Sequence, residues 1–254
     1  MIKNILFDLD GTMLPMDMEK FTHGYFKRLV AKAAPRGYEP EKLIKSVWAG
    51  TAAMVKNNGG ITNEEAFWNK FSEIYGEEKA DADKPMFDEY YRKEFSGVKA
   101  DCGFNPAAAK TVAALKEKGF ALVLATNPIF PAAATESRIE WAGLDKNDFL
   151  LYTTYENSHY CKPNPKYYEE ILARLNMNAE ECLMVGNDVE EDMIAEALGM
   201  KVFLLTDCLL NKENRDISVY PHGGFSELLE FIAYKILTIR SPQIGKPFCG
   251  DCIF

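Results

Sequence analysis

Short apolar runs alternate with helical patterns along most of the chain. The runs that end abruptly at polar residues predict buried strands at 2–9, 120–125, 149–153, 182–185 and 201–205. Between and after them, helical periodicity with Asn-Pro starts and glycine ends predicts helices at 106–118, 131–142, 165–175, 189–198 and 225–238. Strands that alternate with helices at this spacing indicate βαβ units, so the fold class is α/β with a Rossmann-like parallel sheet.

A block without strand patterns interrupts this alternation directly after the first strand. Its periodicity predicts helices at 17–33, 40–56, 63–75 and 83–95, and Thr62 with Glu65 has the spacing of a capping box. An insertion at this point lies over the carboxyl ends of the strands, where open α/β sheets bind ligands. We therefore expect three parts, which are an α/β core of residues 1–15 and 100–240, an all-helical cap domain of residues 16–99, and a C-terminal tail of residues 241–254.

The charge and the apolar content of the chain argue against some classes of binding partner. The chain has 254 residues and a formal net charge of −9, which argues against nucleic acid and anionic membranes because both bind basic surfaces. No apolar stretch reaches the roughly 18–20 residues of a membrane span, and the N-terminus does not have the pattern of a signal peptide. We expect a cytoplasmic protein, and the sequence leaves its oligomeric state open.

The cysteines are consistent with a reducing compartment. Four scattered residues are expected to be free thiols, namely Cys102, Cys161, Cys182 and Cys208. Cys249 and Cys252 form a lone CxxC pair in the tail. A structural zinc site needs a second Cys or His pair close by, so we interpret these two residues as part of a flexible tail.

Polar side chains follow the predicted strand ends. They are Asp8 and Asp10 with Gly11 and Thr12, then Thr126 and Asn127, then Lys162 before a helix, and finally Asn187 and Asp188 with Asp192. Carboxyl ends of parallel strands lie at one edge of the sheet. Together these residue types suit phosphoryl transfer, because a carboxylate can attack phosphorus and a second one can act as acid and base. Hard oxygen ligands favour Mg²⁺, and a hydroxyl and an ammonium can offset charge on the phosphoryl oxygens.

In their order, the four groups resemble the motifs of the haloacid dehalogenase-like (HAD) superfamily of phosphohydrolases. The resemblance covers residues 1–15 and about 100–240. It implies that Asp8 is the nucleophile and a metal ligand, and that Asp10 is the general acid and base and binds metal through its main-chain carbonyl. It also implies that Thr126 and Lys162 bind the phosphoryl group, that Asn127 helps at the substrate, and that the helical block is a type 1 cap. Asp10 distinguishes phosphatase-like members from the dehalogenases.

The fourth motif departs from the family pattern, because Asn187 stands where aspartate usually follows the glycine. Either Asn187 is a metal ligand through its amide oxygen or Asp188 supplies the carboxylate, and both stay candidates. Asp192 is expected to be an outer-shell partner that orients Lys162 or metal-bound water.

These expectations combine into a Mg²⁺-dependent phosphomonoester hydrolase that acts on a small phosphorylated metabolite through an aspartyl-phosphate at Asp8. One alternative is a phosphotransferase or phosphomutase of the same superfamily. Another is a catalytically weak HAD-like protein-binding module, which Asn187 favours. The intact Asp8, Asp10, Thr126 and Lys162 disfavour it. Candidate specificity residues in the helical block are Lys20, His23, Lys27, Arg28, Lys45, Trp48 and Lys56.

Overall fold

A computed structural model describes the backbone of residues 1–240 and the side chains of residues 1–234. The expected tail of residues 241–254, with Cys249 and Cys252, lies outside the described residues. Within the described part the fold is α/β, as predicted, and it is organised around one parallel sheet.

The sheet contains five parallel strands. They are β1 (Asn4–Phe7), β2 (Ala121–Leu124), β3 (Cys182–Gly186), β4 (Lys201–Leu205) and β5 (His222–Gly223). Their spatial order is β2-β1-β3-β4-β5, with Asn4 opposite Ala121 on one side and Cys182 on the other. Since β1 lies between β2 and β3, the residues that follow these three strands meet at one edge of the sheet.

Eight α-helices accompany the sheet within residues 1–240. They are α1 (Met18–Ala33), α2 (Pro40–Val55), α3 (Asn63–Tyr75), α4 (Glu77–Arg92), α5 (Pro106–Glu117), α6 (Ala132–Trp141), α7 (Pro165–Leu175) and α8 (Phe225–Arg240). The first four, with a 3₁₀ stretch at Glu94–Asp101, form the helical segment between β1 and α5. This segment is the predicted strand-free block.

Both faces of the sheet are buried, as a parallel sheet requires. Alternate residues of a strand point to opposite faces. Ile5 and Phe7 therefore join one apolar cluster, which includes side chains of the helical segment. Leu6 joins a second cluster with Tyr167 and Tyr168 of α7.

The predicted strand at 149–153 is wrong. Only Tyr152 forms a bridge to Leu124, outside any ladder. The Asn157 side chain accepts a hydrogen bond from the Thr154 amide at 2.9 Å and donates one to the Tyr152 carbonyl at 3.0 Å. The segment still bonds to β2 through the Leu150 amide and the Leu151 carbonyl, each at 2.8 Å, but the bonds of Asn157 turn the chain before a regular strand forms.

The predicted helix at 189–198 is a turn followed by a 3₁₀ helix, Met193–Leu198. The side chain of Asp188 accepts hydrogen bonds from the amides of Glu190 at 2.8 Å and Glu191 at 3.0 Å. A side chain thus satisfies the donors of this first turn, and regular structure begins only at Met193.

Helix α4 begins at Glu77, six residues before its predicted start, and ends at Arg92. Its first two turns bury only Ala80 and Asp83, so they carry no apolar periodicity to reveal a helix. Pro85 lies inside it, where its missing N–H leaves one carbonyl of the preceding turn without a helical partner.

Asn63, at the start of α3, fastens the helical segment to the sheet side of the molecule. Its side chain is fully buried, and Nδ2 lies 3.3 Å from the carbonyl oxygens of Pro128 and Tyr160 and from Sγ of Cys161. Its amide donates to the Ser158 carbonyl at 2.9 Å. The start of α3 is therefore bonded to the loop after β2 and to the loop before α7.

Cys102, Cys161, Cys182 and Cys208 are free thiols, as predicted. Over the part of the chain that the structure describes, none of the helices has the length and apolar character needed to cross a bilayer.

The capping box predicted at Thr62 gives a direct test of local stability. The Thr62 hydroxyl accepts from the Glu65 amide at 3.1 Å, and the Glu65 carboxylate accepts from the Thr62 amide at 2.8 Å. We expect Thr62→Ala to lower the free energy of unfolding in urea by about 1 kcal/mol, because a helix donor loses its partner. Thr62→Ser, which keeps the hydroxyl, is the control. Equal stability of the Ala and Ser variants would contradict the role of the cap.

Candidate functional site

The residues that follow β1, β2 and β3 line one cavity of about 1000 Å³. The predicted site residues among its walls are Asp8, Asp10, Thr126, Asn127, Asn187, Asp188 and Asp192. Side chains of α1 and α2 form another part of the wall. The sheet edge thus brings together the polar residues that the sequence separates by up to 184 positions.

Lys162 lies beneath the cavity surface and forms ion pairs with two of these carboxylates, those of Asp8 and Asp192. Its side chain is 1% exposed, and Nζ lies 2.9 Å from Oδ1 of Asp8 and 2.6 Å from Oδ1 of Asp192. Burial opposes the charged form, but the Asp192 and Asp8 carboxylates hold the pKa of Lys162 well above its usual range. Burial raises the pKa of Asp192 to about 6, although the ammonium acts in the opposite direction.

Thr12 connects Asp8 with Asn187. Its hydroxyl lies 3.0 Å from Oδ2 of Asp8 and 3.0 Å from Oδ1 of Asn187. The amide Nδ2 of Asn187 donates to the Cys208 carbonyl at 2.6 Å, which fixes the oxygen on the side of Asp8. Gly11 has a φ of +86° and approaches Asn187 so closely that a Cβ there would overlap the amide, so both its conformation and its packing require glycine.

Asp188 has a different environment, although it also lines the cavity. Its Oδ1 accepts the two amides of the following turn, from Glu190 and Glu191. Its own amide donates to Oδ2 of Asp192 at 3.0 Å. One of its carboxylate oxygens is therefore committed to the local backbone, whereas the Asn187 oxygen faces the hydroxyl shared with Asp8.

Asp10 forms a second charged pair, with Arg138 of α6. Arg138 is 1% exposed, and its guanidinium lies 4.6 Å from the centre of the Phe130 ring. Oδ2 of Asp10 accepts from Arg138, while Oδ1 is buried and has no hydrogen-bond partner among the described residues. Burial raises the pKa of Asp10 to about 6, against the lowering effect of Arg138.

The sequence interpretation missed Arg138. One signal was available, since Arg138 lies four residues after the buried Ala134 and three before the buried Trp141. A charge on the apolar face of a helix indicates a buried partner, but that partner could not be named without the fold.

Thr126 and Asn127 shape the side of the cavity next to Lys162. Thr126 is buried, and its carbonyl accepts from the Tyr167 hydroxyl at 2.8 Å. Oδ1 of Asn127 lies 3.3 Å from the Lys162 amide, and its Nδ2 donates to Glu191 at 3.0 Å. Glu191 was also missed, and burial raises its pKa to about 7.

The oxygen atoms around Asp8 form a donor set that fits magnesium. Within residues 1–240, no three His, Cys, Asp or Glu side chains lie close enough to hold a metal ion. Asp8 offers a carboxylate, Asp10 a main-chain carbonyl and Asn187 an amide oxygen. Mg²⁺ takes such hard ligands, needs few of them from the protein and keeps several waters.

Three of the candidate specificity residues line the same cavity, namely His23, Lys27 and Trp48. The other four, Lys20, Arg28, Lys45 and Lys56, are not among the residues that line it.

Residues 2–199 match the family described as haloacid dehalogenase-like hydrolase. The chain is 26% identical over 207 residues to the ribulose-1,5-bisphosphate 5-phosphatase of Halopiger xanaduensis, a match that covers 79% of this chain and 83% of that protein. It is 28% identical over 210 residues to the phosphoglycolate phosphatase of Vibrio cholerae, with coverage of 81% and 84%. The solved 2-haloacid dehalogenase from Pseudomonas syringae pv. Tomato shares the fold, with a TM-score of 0.62, 19% identity and coverage of 92% and 100%.

The ammonium of Lys162 is expected to stabilise the site in a pH-dependent way. We expect Lys162→Met to lower the free energy of unfolding by about 3–5 kcal/mol at pH 8 and by less at pH 5. Without the cation, the pKa of Asp192 in the folded variant rises further above its value in the unfolded chain. The folded variant therefore holds an extra proton up to a higher pH than the parent protein does. Its stability therefore falls as pH rises through that range. Urea denaturation at both pH values, with a chelator present, measures the difference.

Lys166→Met is the matched control, because Lys166 is exposed on the first turn of α7. Its effect should be small and the same at both pH values. A loss for Lys162→Met that is equal at pH 5 and pH 8 would rule out the electrostatic explanation.

Proposed function

Because the chain belongs to the haloacid dehalogenase-like hydrolase family, we propose that it is a magnesium-dependent phosphomonoester hydrolase that acts through an aspartyl-phosphate at Asp8. The main support for this proposal is that one cavity holds two carboxylates in different environments. Asp8 has an ammonium on one oxygen, and Asp10 has a buried carboxylate oxygen without a partner among the described residues. The phosphatase names of two relatives favour the same reaction.

In the first step a carboxylate oxygen of Asp8 attacks the phosphorus of the ester. The bond from phosphorus to the ester oxygen breaks, and that oxygen leaves as an alcohol with the proton of Asp10. The pKa of Asp10, raised to about 6 by burial, leaves a usable fraction of this acid protonated near neutral pH.

In the second step a water molecule attacks the phosphorus of the aspartyl-phosphate. Asp10, now ionised, accepts the proton of that water, and the bond between phosphorus and Asp8 breaks. The balance is one ester and one water converted to one alcohol and one inorganic phosphate, with both aspartates returned to their starting states.

Lys162 and Thr126 are proposed to hold the phosphoryl oxygens. The Lys162 ammonium has three N–H donors, of which two are used by Asp8 and Asp192, so one remains for a phosphoryl oxygen. The hydroxyl of Thr126 supplies a further donor at the end of β2. Asp192 acts as a positioning residue, because it touches Lys162 and the Asp188 amide.

Magnesium would be held by the Asp8 carboxylate, the Asp10 main-chain carbonyl and the Asn187 amide oxygen. It would supply positive charge to the phosphoryl oxygens. Asn187 is favoured over Asp188 because its oxygen faces the Thr12 hydroxyl that also contacts Asp8, whereas Asp188 accepts two backbone amides.

The helical segment is proposed to be a cap domain over a core of residues 1–15 and 100–240. Its helices α1 and α2 contribute side chains to the cavity that the core carboxylates line. A small phosphorylated metabolite would then be enclosed between the two parts, away from bulk water.

The nucleophile is tested by Asp8→Asn. We expect this variant to fold and to lose at least about a thousandfold in phosphate release, because a neutral amide does not attack phosphorus. Release from a panel of phosphorylated metabolites is measured with Mg²⁺ and with a chelator, and only the Mg²⁺ series should be active. Asp81→Asn, an exposed aspartate of α4, is the control and should keep full activity.

Three results would contradict this function in different ways. Full activity of Asp8→Asn would exclude the aspartyl-phosphate. An isomerised sugar phosphate without free phosphate, seen by ³¹P NMR, would indicate a phosphomutase. Magnesium binding without turnover of any compound would favour a binding protein.

The metal ligand is tested by calorimetric titration of Mg²⁺. We expect Asn187→Ala to weaken Mg²⁺ binding by at least about tenfold, and Asp188→Ala to weaken it much less. Asn187→Asp should tighten binding, since a carboxylate attracts the cation more strongly than an amide. Loss of binding in Asp188→Ala with normal binding in Asn187→Ala would assign the ligand to Asp188 instead.

A further inference from the structure

The cavity around Asp8 and Asp10 is much larger than a phosphoryl group. Its volume is about 1000 Å³, and pockets of roughly 300–1,000 Å³ bury ligands of the size of drug molecules. A phosphomonoester that places its phosphorus at Asp8 therefore has most of this space available for its organic group.

The helices turn a mainly apolar surface toward this space. Six large side chains from α1, α2 and the loop after β2 line the cavity, and we call them the apolar wall: Met18, Phe21, Phe26, Ile44, Trp48 and Phe130. Five of them, all except Ile44, also line a second cavity of about 80 Å³. The shared side chains extend the apolar surface beyond the main cavity.

Two members of the apolar wall are strongly exposed. Trp48 is 51% exposed and Met18 is 46% exposed. The indole of Trp48 packs against Phe26 with 5.6 Å between ring centres, so a buried aromatic ring supports it from one side. Large apolar side chains that remain uncovered beside a cleft indicate a surface that a ligand covers.

Most of the polar lining of α1 lies along a separate stripe, whereas Thr22 lies among the residues of the apolar wall. Glu19, His23 and Lys27 are spaced four residues apart, line the cavity and are exposed, as expected of a rim in contact with water. Phe21 and Phe26 are buried. A group with several hydroxyls seated against the apolar wall would lose more hydrogen bonds to water than the single Thr22 hydroxyl can replace, which costs free energy.

We infer that the substrate is the phosphomonoester of an apolar alcohol, with an organic group of at least about six carbon atoms seated against the apolar wall. This inference rests on the proposed function, because it assigns the leaving group of the same reaction. The leaving alcohol is a hydrocarbon chain or an aromatic group, and it is not a sugar or a small hydroxy acid.

Matched alkyl compounds test the inference by binding and by turnover. Ethyl-, hexyl- and 3-phenylpropylphosphonate, whose carbon–phosphorus bond this reaction does not break, are titrated calorimetrically. The corresponding phosphates, which have leaving groups of similar acidity, are compared by kcat/KM. Each buried methylene is worth about a three- to fourfold gain, so we expect the hexyl compounds to exceed the ethyl compounds by at least about tenfold in both measurements.

The variant Trp48→Ser removes the exposed centre of the apolar wall without opening a buried core position. It should lower the hexyl-to-ethyl ratio of kcat/KM by at least about fivefold. Val55→Ser is the matched control, because Val55 is a similarly exposed apolar residue of α2 that is not among those lining the cavity. It should keep the ratio of the parent protein.

The outcomes separate this inference from the proposed function. Equal binding of ethyl- and hexylphosphonate, or a kcat/KM that favours phosphoglycolate over hexyl phosphate, overturns the inference even if phosphate is released. Preference for hexylphosphonate without any phosphate release supports the apolar site and removes the hydrolase. A kcat/KM preference for the hexyl or the phenylpropyl phosphate supports the inference, and the better of the two distinguishes a hydrocarbon chain from an aromatic group.

Discussion

The site depends on one buried ammonium, that of Lys162 between Asp8 and Asp192. Asp8 follows β1, Lys162 lies in the loop before α7, and Asp192 lies in the turn after β3. Their ion pairs therefore hold three separate parts of the chain together. Two carboxylates buried this closely would repel each other strongly without a cation. With Lys162 in place they carry a net charge of one negative unit, which leaves the site attractive to a cation.

A second ion pair, between Asp10 and Arg138, gives Asp10 a different environment from that of Asp8. Asp8 lies next to an ammonium and a hydroxyl, whereas Asp10 lies against a guanidinium from α6 and keeps one oxygen free of partners among the described residues. Burial raises the pKa of Asp10 in spite of Arg138, which in the proposed reaction would let Asp10 hold a proton while Asp8 acts as the nucleophile. This division of environments is the usual way in which two like residues take unlike catalytic roles.

The amino-acid sequence was sufficient for the fold class, for strands β1 to β4 and for the grouping of polar residues at their ends. Apolar runs are strong local patterns, and parallel strands place their carboxyl ends at one edge whatever the details of packing. Arg138 and Glu191 were missed, and Thr12 was named without a role, because their contacts depend on distances between residues far apart in the chain. The two-residue β5 was missed and the strand at 149–153 was predicted wrongly for a related reason, since contacts with distant segments decide strand pairing.

Asn63 connects the helical segment to the backbone of the candidate site. Its bonds reach Pro128, two residues after Thr126, and Cys161, the residue before Lys162, so the start of α3 is pinned beside the groups proposed to hold phosphate. Any displacement of the start of α3 would therefore act directly on the backbone next to Thr126 and Lys162. The position of the helical segment and the geometry of the phosphate-binding groups are in this way linked through one buried amide side chain.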